Sequence, residues 1–227
     1  MFRDVEKRDT SVNILQKTLK SPVLMAPVGV QKILHEEGDL ASAQAAGELG
    51  IPFVCSTVSA YSLEAVSEAV GENTPKWFQL YWSTDSDITA SFLKRAENAG
   101  YSAIVITLDT PMVGWRERDL NHRWLPFLEG IGIANYLTDP IFRSKLSTSP
   151  EEDMTEAGET FREIFGNTSL SWNDIKFVRE QTNLPIILKG ILHSHDAELA
   201  LHYGADGIIV SNQVCQLIQH QHLLPVP

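Results

Sequence analysis

Several polar side chains stand at the ends of short apolar runs, where parallel strands would bring them to one edge of a sheet. They are Ser56, Gln79, Tyr81, Thr107, Asp109, Lys189 and Ser211. Gln79 and Tyr81 are two residues apart, so both would face the same side of one strand. This set combines neutral hydrogen-bonding groups with a carboxylate and an ammonium, and it can bind a polar small molecule. Taken singly, a hydroxyl at a strand end more often forms its hydrogen bonds within the protein than to a ligand.

The charged residues allow more than one chemistry. Lys189 at a strand end could form a Schiff base with a carbonyl substrate, as in an aldolase-like barrel. The guanidinium of Arg116 could hold a carboxylate through two hydrogen bonds, or it could be one charge in the surface run 116–119. His193 and His195 lie in a polar turn without a third ligand, so we expect no metal site there.

The elements that must position these residues follow from the apolar pattern. Predicted strands cover residues 22–27, 52–56, 76–81, 103–108, 185–189 and 207–211, and predicted helices cover about 39–49, 62–70, 85–98 and 194–203. Apolar strands that alternate with helices indicate βα units and a parallel sheet buried on both faces. A doubly wound sheet would carry a glycine-rich phosphate fingerprint after its first strand, which Val28-Gly29-Val30-Gln31 lacks. Polar strand ends are typical of a TIM barrel rim, so we predict an α/β fold of the (β/α)8 barrel class.

The barrel predicted from this pattern is incomplete, with about six of its eight βα units. A long insertion separates the fourth and fifth of these predicted strands, at about 115–168. The acidic patch Glu151-Glu152-Asp153 is typical of a solvated insertion. Trp124-Leu125-Pro126-Phe127-Leu128 is too apolar for that, and we expect it to pack on the barrel or on a partner subunit.

Composition excludes several classes of protein. Lys and Arg number 18 against 29 Asp and Glu, a net charge of −11, so we expect no nucleic-acid partner, since phosphate contacts need clustered basic residues. No apolar run approaches the roughly 18 residues of a membrane helix, and the first residues lack the apolar segment of a secretory signal. The 2 cysteines cannot form a disulfide scaffold or a four-ligand zinc site. We expect an intracellular protein with no membrane partner, and no compartment follows from the sequence.

A set of motifs in the same order carries a family resemblance. They are Pro27-Val28-Gly29, Gln79-Leu80-Tyr81, the stretch 107–119, Ile187-Leu188-Lys189-Gly190 and Ile209-Val210-Ser211-Asn212. Together they resemble the FMN-dependent 2-hydroxy acid oxidase and dehydrogenase family, which includes glycolate oxidase, lactate oxidase and flavocytochrome b2. The stretch 114–143 is most similar to the lactate 2-monooxygenase branch. The resemblance implies an FMN-binding TIM barrel that oxidises a small, lactate-like L-2-hydroxy acid to a 2-oxo acid, with oxygen as acceptor. It also implies a homo-oligomer for the full-length parent.

The resemblance further implies a role for each matching residue. Substrate contacts fall on Tyr81 and Arg116, and Asp109 matches the carboxylate that orients the catalytic histidine. Lys189 matches a cation near N1 and O2 of the flavin, where positive charge stabilises the anionic reduced ring. The implied flavin contacts are Pro27, Val28, Gly29, Ser56, Gln79, Thr107, Lys189 and Ser211.

The resemblance breaks after Asn212, so we assign residues 1–212 to the partial barrel, with its long insertion at about 115–168, and residues 213–227 to an unrelated tail. Gln213 occupies the place of the family's catalytic histidine and Gln216 the place of its carboxylate-binding arginine. A glutamine has no titratable nitrogen near neutral pH and cannot act as a general base. The family's last two strands, with their phosphate-binding loops, and a segment before Met1 have no counterpart, so we interpret the chain as truncated at both ends. The alternative function is therefore a non-catalytic flavin-binding or degenerate product.

Overall fold

The computed structural model describes residues 6–112, 121 and 124–212, and it contains a five-stranded parallel sheet. The sheet has the order β3-β4-β5-β6-β7, so each strand pairs with its neighbour along the chain. Its strands are β3 (Phe53–Ser56), β4 (Lys76–Leu80), β5 (Ile104–Thr107), β6 (Ile186–Lys189) and β7 (Gly207–Ile209). A small antiparallel hairpin, β1 (Val12–Ile14) and β2 (Lys17–Leu19), precedes them. The prediction of a parallel α/β sheet is confirmed.

Four of the helices lie close to where the sequence predicts them, whereas the four described between β5 and β6 were not predicted. The helices of the described residues are α1 (Gly38–Leu49), α2 (Leu63–Val70), α3 (Ser86–Asn98), α4 (Ala134–Leu137), α5 (Pro140–Arg143), α6 (Met154–Ile164), α7 (Ile175–Gln181) and α8 (Ser194–His202). Ser62 and Asp85 cap α2 and α3 by accepting hydrogen bonds from backbone N–H groups of the first turn. Gly50 ends α1 with a φ of 65°, a left-handed conformation that glycine adopts without strain.

The first predicted strand is wrong in extent. Residues 22–27 contribute only an isolated bridge, in which Met25 lies beside Phe53. The N–H of Met25 donates to Pro52 at 2.8 Å, and its carbonyl accepts from Val54 at 3.0 Å. Pro27 has no N–H to donate to β3 beyond Met25, and Pro52 has none to donate to the carbonyl of Val23, which explains why pairing stops after one residue.

The two faces of the sheet are covered differently. One face packs against the helices and forms the larger apolar core. The other face carries a smaller apolar cluster. Ile14 and Leu15 of the hairpin pack against this cluster, and the sequence did not predict the hairpin. The buried members of the cluster are Val54, Trp77, Ala103, Val105 and Ile187. Because strand side chains alternate, the residues two positions further along these strands lie on the same face, and they are the polar ones.

The described part of the insertion, residues 124–168, packs on the helix-covered face of the sheet. Tyr136 of α4 and Phe161 of α6 are buried, and their rings lie 4.9 Å apart in an edge arrangement. Tyr136 also contacts Phe92 of α3 at 4.8 Å, so the insertion shares the helix-side core. Phe127 packs on Phe161 at 5.0 Å, whereas the acidic patch 151–153 is exposed. Among the described residues, no helix combines the length and apolar character needed to cross a membrane.

Candidate functional site

Gln79 is the centre of a buried hydrogen-bond chain that crosses three strands. Its Oε1 accepts from the Ser56 hydroxyl at 3.2 Å and from the backbone N–H of Thr57 at 3.3 Å. Its Nε2 donates to the Thr107 hydroxyl at 2.9 Å. A backbone N–H can only donate, so the Gln79 atom that faces Thr57 must be the oxygen. We call the edge formed by the carboxyl ends of the strands the rim. The amide nitrogen, which carries two N–H donors, therefore points along the rim toward β5.

Thr57 is a functional residue that the sequence reasoning missed. Its hydroxyl donates to the carbonyl of Gln79 at 2.6 Å and accepts from the N–H of Tyr81 at 2.9 Å. With its own N–H on the Gln79 side chain, Thr57 fixes the end of β4 to the end of β3. The pair Ser56-Thr57 directly after an apolar run was the available signal, because two adjacent hydroxyls there must both find partners once buried.

The segment Pro27-Val28-Gly29 lies against the end of β3. A Cβ added to Gly29 would lie 2.4 Å from Cγ2 of Val58 and 3.3 Å from the Ser56 hydroxyl, so only glycine lets the two loops approach this closely. The Gln31 side chain donates to the Val28 carbonyl at 3.0 Å and anchors the segment from the other side.

Asp39 supports the same pair of loops from the first turn of α1. Its carboxylate accepts from the backbone N–H of Ala60 at 3.0 Å and lies 3.4 Å from the amide nitrogen of Gln31. Burial raises the pKa of Asp39 above its ordinary value of 3.8.

The rim also carries a charged pair, Asp109 and Lys189, next to the neutral hydrogen-bond chain of Gln79. Oδ2 of Asp109 lies 3.3 Å from the ammonium of Lys189 and accepts from the Ser211 hydroxyl at 3.0 Å. The side chains of Asp109 and Lys189 are each 9% exposed, so the ion pair is largely shielded from water. Lys189 pairs with Thr107 in the strand register, which places the charged group next to the neutral chain. Gly190, with a φ of 110°, gives Asp109 the room for this approach.

The remaining predicted residues are placed less centrally. The ring of Tyr81 packs on Phe165 with centroids 5.2 Å apart, and Tyr81 joins the site through its backbone. Arg116 and the tail that contains Gln213 lie outside the described residues. His193 accepts a hydrogen bond from the N–H of His195 at 3.1 Å and caps α8.

Cys55 lies in β3, next to Ser56 of the rim. Its thiol is buried, and burial raises its pKa to about 12. A thiol with that pKa stays protonated at neutral pH and is a poor nucleophile.

The rim fits a planar, polar heterocycle with a tendency to carry negative charge. Ser56, Gln79 and Thr107 supply neutral hydrogen-bonding groups on a rigid edge, and Lys189 supplies one cation next to them. Gly29 packs without a side chain beside the Ser56 hydroxyl of the same edge. This donor set matches the requirements of a flavin ring system, which needs mixed neutral partners and a nearby positive charge.

Comparison with known proteins agrees with this geometry. The family model described as FMN-dependent dehydrogenase matches residues 1–218. An L-lactate oxidase from Lysinibacillus sphaericus is 47% identical over 211 residues, which are 93% of this chain and 54% of that protein. Human 2-hydroxyacid oxidase 1 is 36% identical over 93% of this chain and 56% of its own length.

Solved structures show the same relationship. A mandelate oxidase with (S)-2-phenylpropionate superposes with a TM-score of 0.74 at 36% identity, over 93% of this chain and 54% of that one. A variant of mandelate oxidase that superposes with the same TM-score was solved with a C4a-OH-FMN adduct. The chain spans about half the length of the curated relatives it matches. The match over nearly all of its residues confirms the resemblance seen in the motifs: this chain belongs to the FMN-dependent dehydrogenase family.

Proposed function

We propose that this chain binds FMN at the rim described above and serves the oxidation of a small L-2-hydroxy acid to a 2-oxo acid, with oxygen as acceptor. One observation carries the proposal. Ser56, Gln79 and Thr107 form a continuous hydrogen-bond chain on one face of the sheet, and Lys189 follows on the next strand. The likeness to an L-lactate oxidase and a 2-hydroxyacid oxidase supports the substrate class.

We also infer that the parallel sheet is part of a TIM barrel. Its strands follow chain order, its helices cover one face, and its polar residues gather at the carboxyl ends on the other face. Each of these features is typical of (β/α)8 enzymes, whose active sites lie at that end of the strands. A homo-oligomer follows by family resemblance, and light scattering of the purified protein tests it.

The rim residues would hold the cofactor through distinct groups. FMN, when bound, supplies a two-electron acceptor for the hydroxy acid. Gln79 presents N–H donors because Thr57 binds its oxygen, and Thr107 presents a hydroxyl on the next strand. Lys189 holds positive charge at the rim, and Asp109 keeps that ammonium in place with a second hydrogen bond from Ser211.

Substrate binding and proton transfer are assigned to the remaining positions. We propose that Arg116 binds the carboxylate of the substrate through two hydrogen bonds and that Tyr81 contacts the same substrate. Asp109 is the group that would orient a base. The base position itself holds Gln213, whose amide cannot take a proton at neutral pH. This observation favours a second candidate function for the chain as given, namely flavin binding without turnover.

A single preparation tests both candidates. The purified chain is mixed with FMN and separated by gel filtration, and its absorbance is recorded before and after L-lactate is added without air. Retained FMN that bleaches supports oxidation, retained FMN that stays yellow supports binding without turnover, and no retained FMN overturns the proposal.

Two further measurements check the residues. Gln79→Leu should weaken FMN retention, whereas the matched control Gln181→Leu, at the end of α7 and away from the rim, should not. Borohydride reduction in the presence of a carbonyl substrate tests the lyase alternative. Covalent labelling of Lys189 in that experiment would contradict the flavin assignment.

A further inference from the structure

Asn135, in the short helix α4 of the insertion, reaches across to the end of β3. Its side chain is fully buried. Oδ1 accepts from the N–H of Leu63 at 2.7 Å, and Nδ2 donates to the carbonyl of Thr57 at 2.9 Å and to that of Ser56 at 3.3 Å. The side-chain amide of Asn135 therefore forms hydrogen bonds both to the chain at the end of β3 and to the first turn of α2.

The backbone of Asn135 is itself held in place. Nη1 of Arg95 donates to the Asn135 carbonyl at 2.7 Å and to Asp139 at 3.1 Å. The guanidinium also pairs with both carboxylate oxygens of Glu64, at 2.8 and 2.9 Å. Because a bidentate pair fixes the plane of the guanidinium, Arg95 offers its remaining donors to α4 in a defined direction.

A short path leads from Asn135 to the flavin-facing group. Asn135 binds the Thr57 carbonyl, and the N–H of Thr57 binds Oε1 of Gln79 at 3.3 Å. The Thr57 hydroxyl binds the Gln79 carbonyl and the Tyr81 N–H. If the peptide planes at Thr57 turned, Gln79 would lose the donor that fixes its amide orientation. The amide could then rotate and present its oxygen, instead of its N–H groups, toward β5.

We propose that Asn135 is a positioning residue that acts through Thr57 to hold the Gln79 amide with its N–H donors toward the cofactor. The inference rests on the proposed function, because it makes the insertion a determinant of flavin binding. A merely structural role would instead lower the stability of the chain without changing the Gln79 environment.

The first test needs no flavin. Amide hydrogen exchange is measured by NMR on the full chain and on Asn135→Ser, with Asn167→Ser as matched control, since Asn167 donates to the Ser83 carbonyl at 3.3 Å and not to β3. The proposal requires Asn135→Ser to speed exchange at the N–H groups of Thr57 and Tyr81 by about tenfold, the effect of losing a buried hydrogen bond. It also requires Asn167→Ser to leave both rates unchanged. Unchanged rates in Asn135→Ser would overturn it, as would loss of the whole fold in this variant and in Asn135→Asp.

The second test uses FMN. Asn135→Ser should weaken FMN affinity about tenfold and shift the flavin absorption band, whereas Asn167→Ser should do neither. In a Gln79→Leu background the additional effect of Asn135→Ser should disappear, because both act through one group. Equal weakening in that background would overturn the proposal. If the unmodified chain binds no FMN, the proposed function fails, and the exchange rates alone decide the role of Asn135.

Discussion

The position of Asp109 depends on Gly190, and a single methyl group at that residue tests the dependence. Gly190 has a φ of 110°, a conformation that residues with a side chain rarely adopt. A Cβ added there would lie 2.9 Å from both the backbone N and the Cβ of Asp109 and 3.1 Å from its Cγ. Two of these atoms belong to rigid parts of the chain, so Asp109 would have to move away from Lys189.

The expected cost has two parts. A side chain in this region of backbone space costs about 1–3 kcal/mol, and forcing an extra methyl into a packed site costs about 1–3 kcal/mol more. We therefore expect Gly190→Ala to lower the free energy of unfolding by about 2–6 kcal/mol. Displacement of Asp109 would also break its contacts with Lys189 and Ser211, so FMN affinity should fall as well.

Urea denaturation and FMN titration measure these two effects. The matched control is Gly204→Ala, where φ is 85° but an added Cβ has no atom within 4 Å. It should cost only about 1–2 kcal/mol, from backbone strain, and leave FMN affinity unchanged. Equal destabilisation by the two substitutions would refute the clash, and normal FMN affinity in Gly190→Ala would refute the role of the Asp109 position.

Three further predictions concern other parts of the chain. Tyr136→Phe should be neutral or stabilising by up to about 1 kcal/mol in urea denaturation, because among the described residues its buried hydroxyl has no hydrogen-bond partner. The control Tyr101→Phe loses a 2.7 Å hydrogen bond to the carbonyl of Leu63 and should destabilise the fold by about 1–2 kcal/mol. Equal effects of the two substitutions would contradict the reasoning. Gly29→Ala should lower the free energy of unfolding by about 1–3 kcal/mol, because the added Cβ would clash with Val58. Adding Val58→Ala to Gly29→Ala should recover part of that loss, and purely additive effects in the double variant would argue against the contact. Asp39 has a raised pKa, so it stabilises the fold below its ordinary value of 3.8, and this contribution is lost as the pH rises through the folded pKa. Asp39→Asn should therefore gain stability relative to the parent as the pH rises across that window, and a pH-independent difference in urea denaturation would contradict the shift.

The insertion connects a part of the chain that is distant in sequence to the end of β3. It contributes Asn135 to the end of β3, and its aromatic residues share the core with α3. The solvated interpretation holds for the acidic patch 151–153, while α6 directly after it is packed through Phe161. Through Asn135, the insertion supports the rim by hydrogen bonds to carbonyl groups at the end of β3.

Five strands of the parallel sheet, four of its helices and its polar face were predictable from local sequence patterns. Apolar runs and helix caps such as Ser62 and Asp85 are local patterns, and the structure places strands and helices within one or two residues of them. Side chains alternate along a strand, so the spacing of Trp77 and Gln79, or of Ile187 and Lys189, was enough to put each pair on one face. The extent of pairing was less predictable, because residues 22–27 are apolar but bounded by prolines.

The hydrogen-bond partners of the polar groups could not be predicted from the sequence, because they depend on how distant segments pack. Asn135 bonds to groups 72 to 79 residues earlier in the chain, and no local pattern indicates such a contact. The amide direction of Gln79 depends on the N–H of Thr57, and the position of Asp109 depends on the space above Gly190. A buried polar group must be paired, but its partner depends on how distant segments pack, so the sequence predicts the residues of the site and the fold determines their geometry.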